Sequence, residues 1–336
     1  MKIQSGKICA IAALLLLPCQ VIAATAFEEC VVRAVMQGGN DRSAAEIRAT
    51  CEQSHQIESS AVSDAAPRRQ SALQERRRAE AETENRSFTI STHQPNYMMF
   101  TYNEKFDEDD NIYTGLAPSL EPKQEEMKFQ VSAKFPVWSN MFGKNTDMYF
   151  GYTLTSWWQL FADEGPTSAP FRETNYEPEL FMRHYTDIGM PFGGSLAALD
   201  LGIVHQSNGR TELLSRSWNR VMGRVAFDYG DVAILGRLWW RIPEDEEDDD
   251  NPGEYKYLGY GDIRASWAPN KNTLTAMWRP GTEKSGTELT WSYPISNKLR
   301  VYAQWWYGYG ESLIDYDQKV NRFGIGVAVN DFLMRD

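Results

Sequence analysis

From about Pro95 onward the chain alternates apolar and polar residues with a period of two. Met127, Phe129, Val131, Ala133 and Phe135 alternate with Lys128, Gln130, Ser132 and Lys134. Leu289, Trp291 and Tyr293 alternate with Glu288, Thr290 and Ser292. Successive side chains of a strand point to opposite faces, so each run has one apolar and one polar face. About twelve such runs occur, at 95–104, 125–137, 146–158, 174–186, 195–207, 217–229, 231–242, 254–268, 272–281, 284–294, 297–309 and 318–332. An even number of strands, with tight turns on alternate sides, predicts a closed antiparallel barrel. Asp228–Asp231 reads as one short turn, and Glu244–Asn251 as a long polar loop.

The polar face separates two architectures. In a soluble β-sandwich the apolar face meets a second sheet. In a transmembrane barrel it meets lipid, and the polar face fills the lumen. Abundant Lys, Arg, Glu and Gln on that face favour the barrel. The fold class read from the sequence is therefore all-β: a transmembrane antiparallel barrel of about 12 strands over residues 91–336, behind a short helical or disordered N-terminal extension. Trp157, Trp158, Trp240, Trp305 and Trp306 fall near strand ends, where interfacial aromatic girdles are expected. The last run, with Phe323, Ile325, Val327, Val329 and Phe332, resembles the terminal strand of outer-membrane proteins.

The segments before the barrel read differently. Lys2 and Lys7, the apolar core Ala10–Leu17 and the small residues through Ala24 predict a removable signal peptide over 1–24. That core is too short to span a bilayer as a helix. Residues 25–90 read as an extension. Within it Phe27–Gln56 is helical with a break at Gly38-Gly39-Asn40, and a polar linker carries Arg76-Arg77-Arg78 as a solvated charge run. Without the signal only Cys30 and Cys51 remain, and in an oxidising compartment they are expected to form one disulfide. Loss of Lys2 and Lys7 takes the formal charge from −12 to −14, which argues against a nucleic-acid partner.

Candidate chemistry lies on two neighbouring runs. The fifth places Leu199, Leu201, Ile203, His205 and Ser207 on one face, against Asp200, Gly202, Val204 and Gln206. The sixth places Asn219, Val221, Gly223, Val225 and Phe227 on one face, against Arg220, Met222 and Arg224. His205, Ser207 and Asn219 thus interrupt an otherwise apolar, lipid-facing wall. A hairpin would fold Asn219 back beside His205 and supply nucleophile, base and orienter for acyl transfer. An Asp orienter there would carry a charge that is costly to desolvate. The bland reading is that polar side chains are ordinary at the wet end of a strand, and H-x-S spacing alone is common.

His205-Gln206-Ser207-Asn208-Gly209-Arg210 with Ser215-Arg216-Ser217-Trp218-Asn219-Arg220 is similar to the signature of the outer membrane phospholipase A family. So are Ser156–Leu160, Phe171–Pro178 and Tyr307–Tyr316, and together these blocks span roughly residues 93–332. The resemblance implies a calcium-dependent serine hydrolase that cleaves 1-acyl and 2-acyl esters of phospholipids and lysophospholipids. It implies a site toward the outer leaflet of a bacterial outer membrane, monomeric at rest and active as a homodimer. Carried over, Ser207 is the nucleophile, His205 the base, Asn219 the orienter and the Gly209 amide an oxyanion donor. The Ca2+ ligands are the Arg210 carbonyl and Ser215 Oγ, with Ser168 supplied by a second copy. Glu212 stands where the family has Asp, with a longer arm. Leu154 occupies a lipid-facing position where some relatives have a dimer-face Gln, so dimerisation would rest more on packing.

His184 reads as structural, His93 as a family feature of unassigned role and His55 as part of the polar tail. The competing classes are a non-catalytic barrel, either a narrow pore or a structural protein, and a soluble periplasmic lipase. The His-x-Ser…Asn set at lipid-facing parity argues against the first, and the second would need a different explanation for the apolar strand faces.

Overall fold

The computed structural model describes residues 47, 51, 70–84, 90–109, 111–113, 122–160, 171–245, 247 and 249–333. Cys51 is buried and disulfide-bonded. Its expected partner Cys30, the 1–24 signal, His55 and Ser168 lie outside the described residues. Residues 70–336 form one unit. In it, twelve barrel strands follow one another: β1 (Asn96–Asn103), β2 (Glu125–Trp138), β3 (Thr146–Trp158), β4 (Phe171–Met190), β5 (Gly194–Ser207), β6 (Ser217–Tyr229), β7 (Val232–Arg241), β8 (Gly261–Trp267), β9 (Thr273–Pro280), β10 (Ser285–Pro294), β11 (Arg300–Gly308) and β12 (Val320–Asn330). Each pairs antiparallel with the next, and β12 pairs with β1 from Arg322↔Asn103 to Asn330↔Asn96, which closes the ring. Closure pairs every strand on both sides, the condition for a sheet to stand in hydrocarbon.

The alternation maps onto two surfaces. On β12 Phe323, Ile325, Val327 and Val329 are exposed while Arg322 and Asn330 are buried. On β5 Leu201 and Ile203 are exposed at 57 % and 56 %, while Asp200 and Val204 are buried. The exposed apolar set is the lipid face of an outer-membrane barrel.

The inward set must satisfy itself, because a buried charge without a partner is costly. Arg172 pairs with Glu126 at 2.7 Å and with Asp315 at 2.8 Å. Arg322 pairs with Glu126 at 2.7 Å and with Glu311 at 2.8 Å, and Lys128 reaches Glu311 at 2.8 Å. Asp315 and Glu311 come from the loop after β11, which therefore folds into the lumen. Removing one member of such a pair typically costs about 3–5 kcal/mol. An apolar cluster of Val204, Trp218, Met222, Trp239, Leu258, Leu313 and Tyr316 fills the space beside these pairs.

Four expectations need correction. Arg76-Arg77-Arg78 is not a solvated charge run throughout: the Arg76 side chain is 13% exposed and pairs with Glu80, and the Arg77 guanidinium lies 4.1 Å from the Tyr185 ring centroid. Trp157 and Trp306 are not girdle residues: they are 1 % and 4 % exposed and face inward. Register decides this, since Trp157 opposes Lys128, whose ammonium lies 5.2 Å from the indole centroid. The run 254–268 is not one strand. Glu254–Lys256 forms a 3₁₀ turn, and β8 starts only at Gly261. Gly259 adopts φ +64 there, and a Cβ on it would stand 1.8 Å from the Pro280 carbonyl oxygen, so the backbone cannot continue as a strand. β4 extends beyond 174–186, to Phe171–Met190.

One helix, α1 (Ala72–Glu84), packs at the barrel end that carries the β6–β7 turn. Ser71 starts it: its hydroxyl accepts from Gln74 N at 3.0 Å, and Gln74 Oε1 accepts from Ser71 N at 3.2 Å. That is a reciprocal capping box. Ser71 also donates to Asp228, and Ala72 N donates to the Gly230 carbonyl at 2.9 Å. Glu80 binds Lys134 at 2.7 Å and Arg76 at 2.8 Å. Burial pushes the Glu80 carboxyl up, but Lys134, Arg76 and Arg183 outweigh it and hold the group well below the usual carboxylate range. Arg76 donates further to the carbonyls of His93 and Phe332. His93 is buried, hydrogen-bonded to Glu179 and stacked on Phe181 at 5.4 Å. Burial lowers its pKa against the pull of Glu179.

Candidate active site

β5 and β6 form a hairpin with residues 208–216 between them, in a register that pairs His205 with Asn219 and Ser207 with Ser217. The two i, i+2 positions of β5 share the lipid face. His205 Nδ1 and Asn219 Oδ1 are 2.9 Å apart. With the carbonyl oxygen as acceptor, His205 carries its hydrogen on Nδ1 and presents a bare Nε2. Ser207 stands on the same face, half-buried, opposite Tyr176 of β4. No hydrogen bond joins His205 to Ser207 here. Contacts of this kind often tighten only with substrate bound.

The loop after Ser207 is built around Asn208, which is buried. Its backbone N donates to the Arg216 carbonyl at 2.9 Å. Its Oδ1 accepts from Arg210 N at 3.2 Å and Arg216 N at 3.0 Å, and its Nδ2 donates to the Leu214 carbonyl at 2.8 Å. One side chain thus fixes both ends of the loop. Gly209 follows at φ +65, and a Cβ there would lie 3.1 Å from the Tyr176 ring. Arg210 is turned away from the loop, its guanidinium donating to the Phe171 carbonyl at 2.9 Å. Glu212 adopts φ +55 and opens a 3₁₀ turn over Glu212–Leu214, with its carboxylate exposed. Ser215 N donates to the Glu212 carbonyl at 3.0 Å.

Ser215 Oγ donates to Asp250 Oδ2 at 2.7 Å, and Ser217 Oγ to the same oxygen at 3.3 Å. Asp250 belongs to the acidic loop after β7. From that loop Glu244 Oε1 also accepts from Asn219 Nδ2 at 3.2 Å. Sequence reasoning assigned this stretch only as a polar loop. The density of acids was visible, but not which of them fold back onto β6. The donors gathered near Ser215 are hydroxyl, carboxylate and carbonyl oxygens, the set that a hard cation such as calcium takes. Among the described residues no cluster of three or more His, Cys, Asp or Glu side chains could hold a metal. A site that draws on backbone and hydroxyl oxygens does not need one. His184 accounts for itself structurally through Thr146 Oγ1 at 2.8 Å. Leu154 lies opposite Val131 on the face shared with Tyr152.

The sequence matches the phospholipase A1 family over residues 73–329. Phospholipase A1 of Escherichia coli K12 is 37% identical over 246 residues, covering 73% of this chain and 82% of that protein. A putative phospholipase A1 of Neisseria meningitidis serogroup B is 39% identical over 213 residues, covering 62% of this chain and 56% of that relative's length. Among solved structures, outer membrane phospholipase A from Escherichia coli superposes with a TM-score of 0.67 at 35% identity, covering 74% of this chain and 94% of that one. The Salmonella typhi outer membrane phospholipase dimer with bound calcium gives 0.68 at 35% identity, covering 75% and 96%.

Proposed function

The chain belongs to the phospholipase A1 family, and from that premise we propose that it hydrolyses the acyl esters of phospholipids with Ser207 as nucleophile, His205 as base and Asn219 as orienter. The observation that carries this reading is the 2.9 Å His205–Asn219 hydrogen bond on the lipid face of β5 and β6, with Ser207 beside it. A lipid-facing site suits a substrate whose acyl chains lie in the membrane. If the chain enters the ring from the periplasm, β5 runs outward and ends at the outer leaflet, so phospholipid in that leaflet is the substrate.

His205 Nε2 accepts the Ser207 proton as Oγ attacks the ester carbonyl. Asn219 Oδ1 holds the imidazolium through Nδ1, without the charge that an Asp would have to bury. The Gly209 amide is assigned to the carbonyl oxygen as it becomes negative. His205 then returns the proton to the departing lysophospholipid, leaving the acyl group on Ser207 Oγ; water, deprotonated by the same imidazole, frees the fatty acid, and His205 gives that proton back to Ser207. Cleavage at the 1-acyl and 2-acyl positions and of lysophospholipids belongs to the same reading.

The oxygens near Ser215 fit calcium, which when bound would neutralise negative charge beside the nucleophile. The Arg210 carbonyl, Ser215 Oγ and Glu212 would hold it on one chain, and Ser168 from a second copy would complete the set. That the Salmonella typhi relative is a dimer with bound calcium supports calcium and a second copy as parts of this reading. On this reading the monomer is the resting form.

The lumen weighs against a pore. Ion pairs of Arg172, Arg322 and Lys128 bridge the wall to the inward loop after β11, and α1 packs at one end. Phospholipid micelles, refolded protein and a fatty-acid assay decide the matter. Release that requires calcium and disappears in Ser207→Ala is expected. Equal release by both proteins would remove Ser207 from the mechanism.

A further inference from the structure

Asn219 is held on both sides of its amide. Its Oδ1 meets His205 Nδ1 at 2.9 Å, and its Nδ2 donates to Glu244 Oε1 at 3.2 Å. Glu244 is no free surface acid. Its side chain is only 20% exposed, and its other oxygen accepts from Arg241 Nη2 at 3.1 Å. Arg241 is itself fixed by Asp249 at 2.6 Å and by Glu254. The backbone follows the same line, since Ile242 N donates to the Asn219 carbonyl at 2.8 Å. The start of the acidic loop is therefore pinned to β6 at the residue that faces His205.

An asparagine amide has an accepting end and a donating end of nearly equal size. Turned the other way, Asn219 would offer Nδ2 to His205. The imidazole would then have to accept at Nδ1 and carry its hydrogen on Nε2, the nitrogen needed to take the proton of Ser207. A carboxylate has no hydrogen to give, so Glu244 engages only the donating end. We propose that Glu244 is a positioning residue: by holding Asn219 Nδ2 it fixes Oδ1 toward His205 and so selects the imidazole tautomer that can activate Ser207. The inference rests on the Ser207–His205–Asn219 reading and extends it to a residue that touches no substrate atom.

The test crosses Glu244→Gln with Asn219→Ala in the full-length refolded protein. Activity is read as fatty-acid release from phosphatidylcholine micelles at saturating calcium, so that weakened metal binding is not mistaken for slower chemistry. Glutamine keeps the size of Glu244 but can offer either oxygen or NH2, which removes the selection. Arg241 keeps Asp249 and Glu254, so the loop stays anchored. We expect Glu244→Gln to lower kcat roughly ten-fold with KM nearly unchanged. In the Asn219→Ala background the same change should have no further effect, because the group it acts through is gone.

A wild-type kcat in Glu244→Gln, or an equal loss in both backgrounds, overturns the proposal and leaves the triad reading intact. Wild-type activity in Asn219→Ala overturns the triad reading and Glu244 with it. Heat-dependent gel mobility checks that each barrel has folded, and Glu244→Ala serves as the second variant, with the same outcomes expected.

Discussion

Ser215 Oγ donates to Asp250 Oδ2 at 2.7 Å, joining the loop after the nucleophile to the acidic loop two strands on. If Ser215 is a calcium ligand, Asp250 places a carboxylate at the metal's edge. Replacing it by Asn removes that charge but keeps a hydrogen-bond acceptor. We expect Asp250→Asn to raise the calcium concentration needed for half-maximal activity roughly ten-fold, as one lost charge at a hard-cation site implies. The rate at saturating calcium should stay near wild type. A calcium titration of fatty-acid release reads both quantities, and an unchanged midpoint would exclude Asp250 from the metal's surroundings.

Gly209 combines φ +65 with a 3.1 Å approach to the Tyr176 ring. Alanine there is strained by about 1–2 kcal/mol and must push the ring or rotate the peptide. If the Gly209 amide is the oxyanion donor, Gly209→Ala should lower kcat about 10²–10³-fold with a smaller change in KM. A kinetic series over lipid concentration separates the two. Full activity would assign the oxyanion to another donor.

Glu311 sits in the inward loop between Lys128 and Arg322. Burial pushes its carboxyl up, but Arg322 and Lys128 outweigh that and hold it at about 2, below its ordinary 4.5. A depressed acid contributes stability that is complete above the unfolded value and is lost as pH falls through the folded one. The contribution of Glu311 should therefore be present at neutral pH and fade between about 4.5 and about 2. Guanidinium unfolding at pH 7 and pH 3 should show Glu311→Gln less stable than wild type, by a smaller margin at pH 3. An equal margin at both would show that the charge of Glu311 does not stabilise the fold.

Leu201 faces outward at mid-strand on β5, next to the inward Asp200. Leu201→Arg should destabilise the barrel in vesicles by about 2–4 kcal/mol, the usual cost of a cation near the bilayer midplane. A cost near zero would place this stretch of β5 in water rather than hydrocarbon.

Much of this architecture is legible from parity alone. Leu199, Leu201 and Ile203 against Asp200 and Val204 predict which side of β5 meets lipid, and a hairpin between the two runs then places Asn219 opposite His205. Parity failed where aromatic identity was read in its place. Trp157 and Trp306 were placed at an interface by residue type, yet they occupy inward positions. It also failed at 254–260, where the chain turns between the left-handed Gly253 and Gly259 and alternation carries no meaning. Glu244 and Asp250 were out of reach for a different reason. Their partners, Asn219 on β6 and Ser215 in the loop before it, lie 25 and 35 positions away in sequence, and only the path of an irregular loop brings them together. Ser168 falls outside the described residues, so its placement rests on the family resemblance.

One guanidinium has a position with consequences for assembly. Arg76 of α1 donates to the carbonyl of His93, just before the first strand, and to that of Phe332, just after the last. Those carbonyls belong to opposite ends of the sheet and become neighbours only when β12 meets β1. Arg76 is therefore a clasp across the seam, and its docking geometry does not exist in any open intermediate. Although α1 leaves the ribosome before every strand of the barrel, its Arg76 clasp can form only once β12 has met β1.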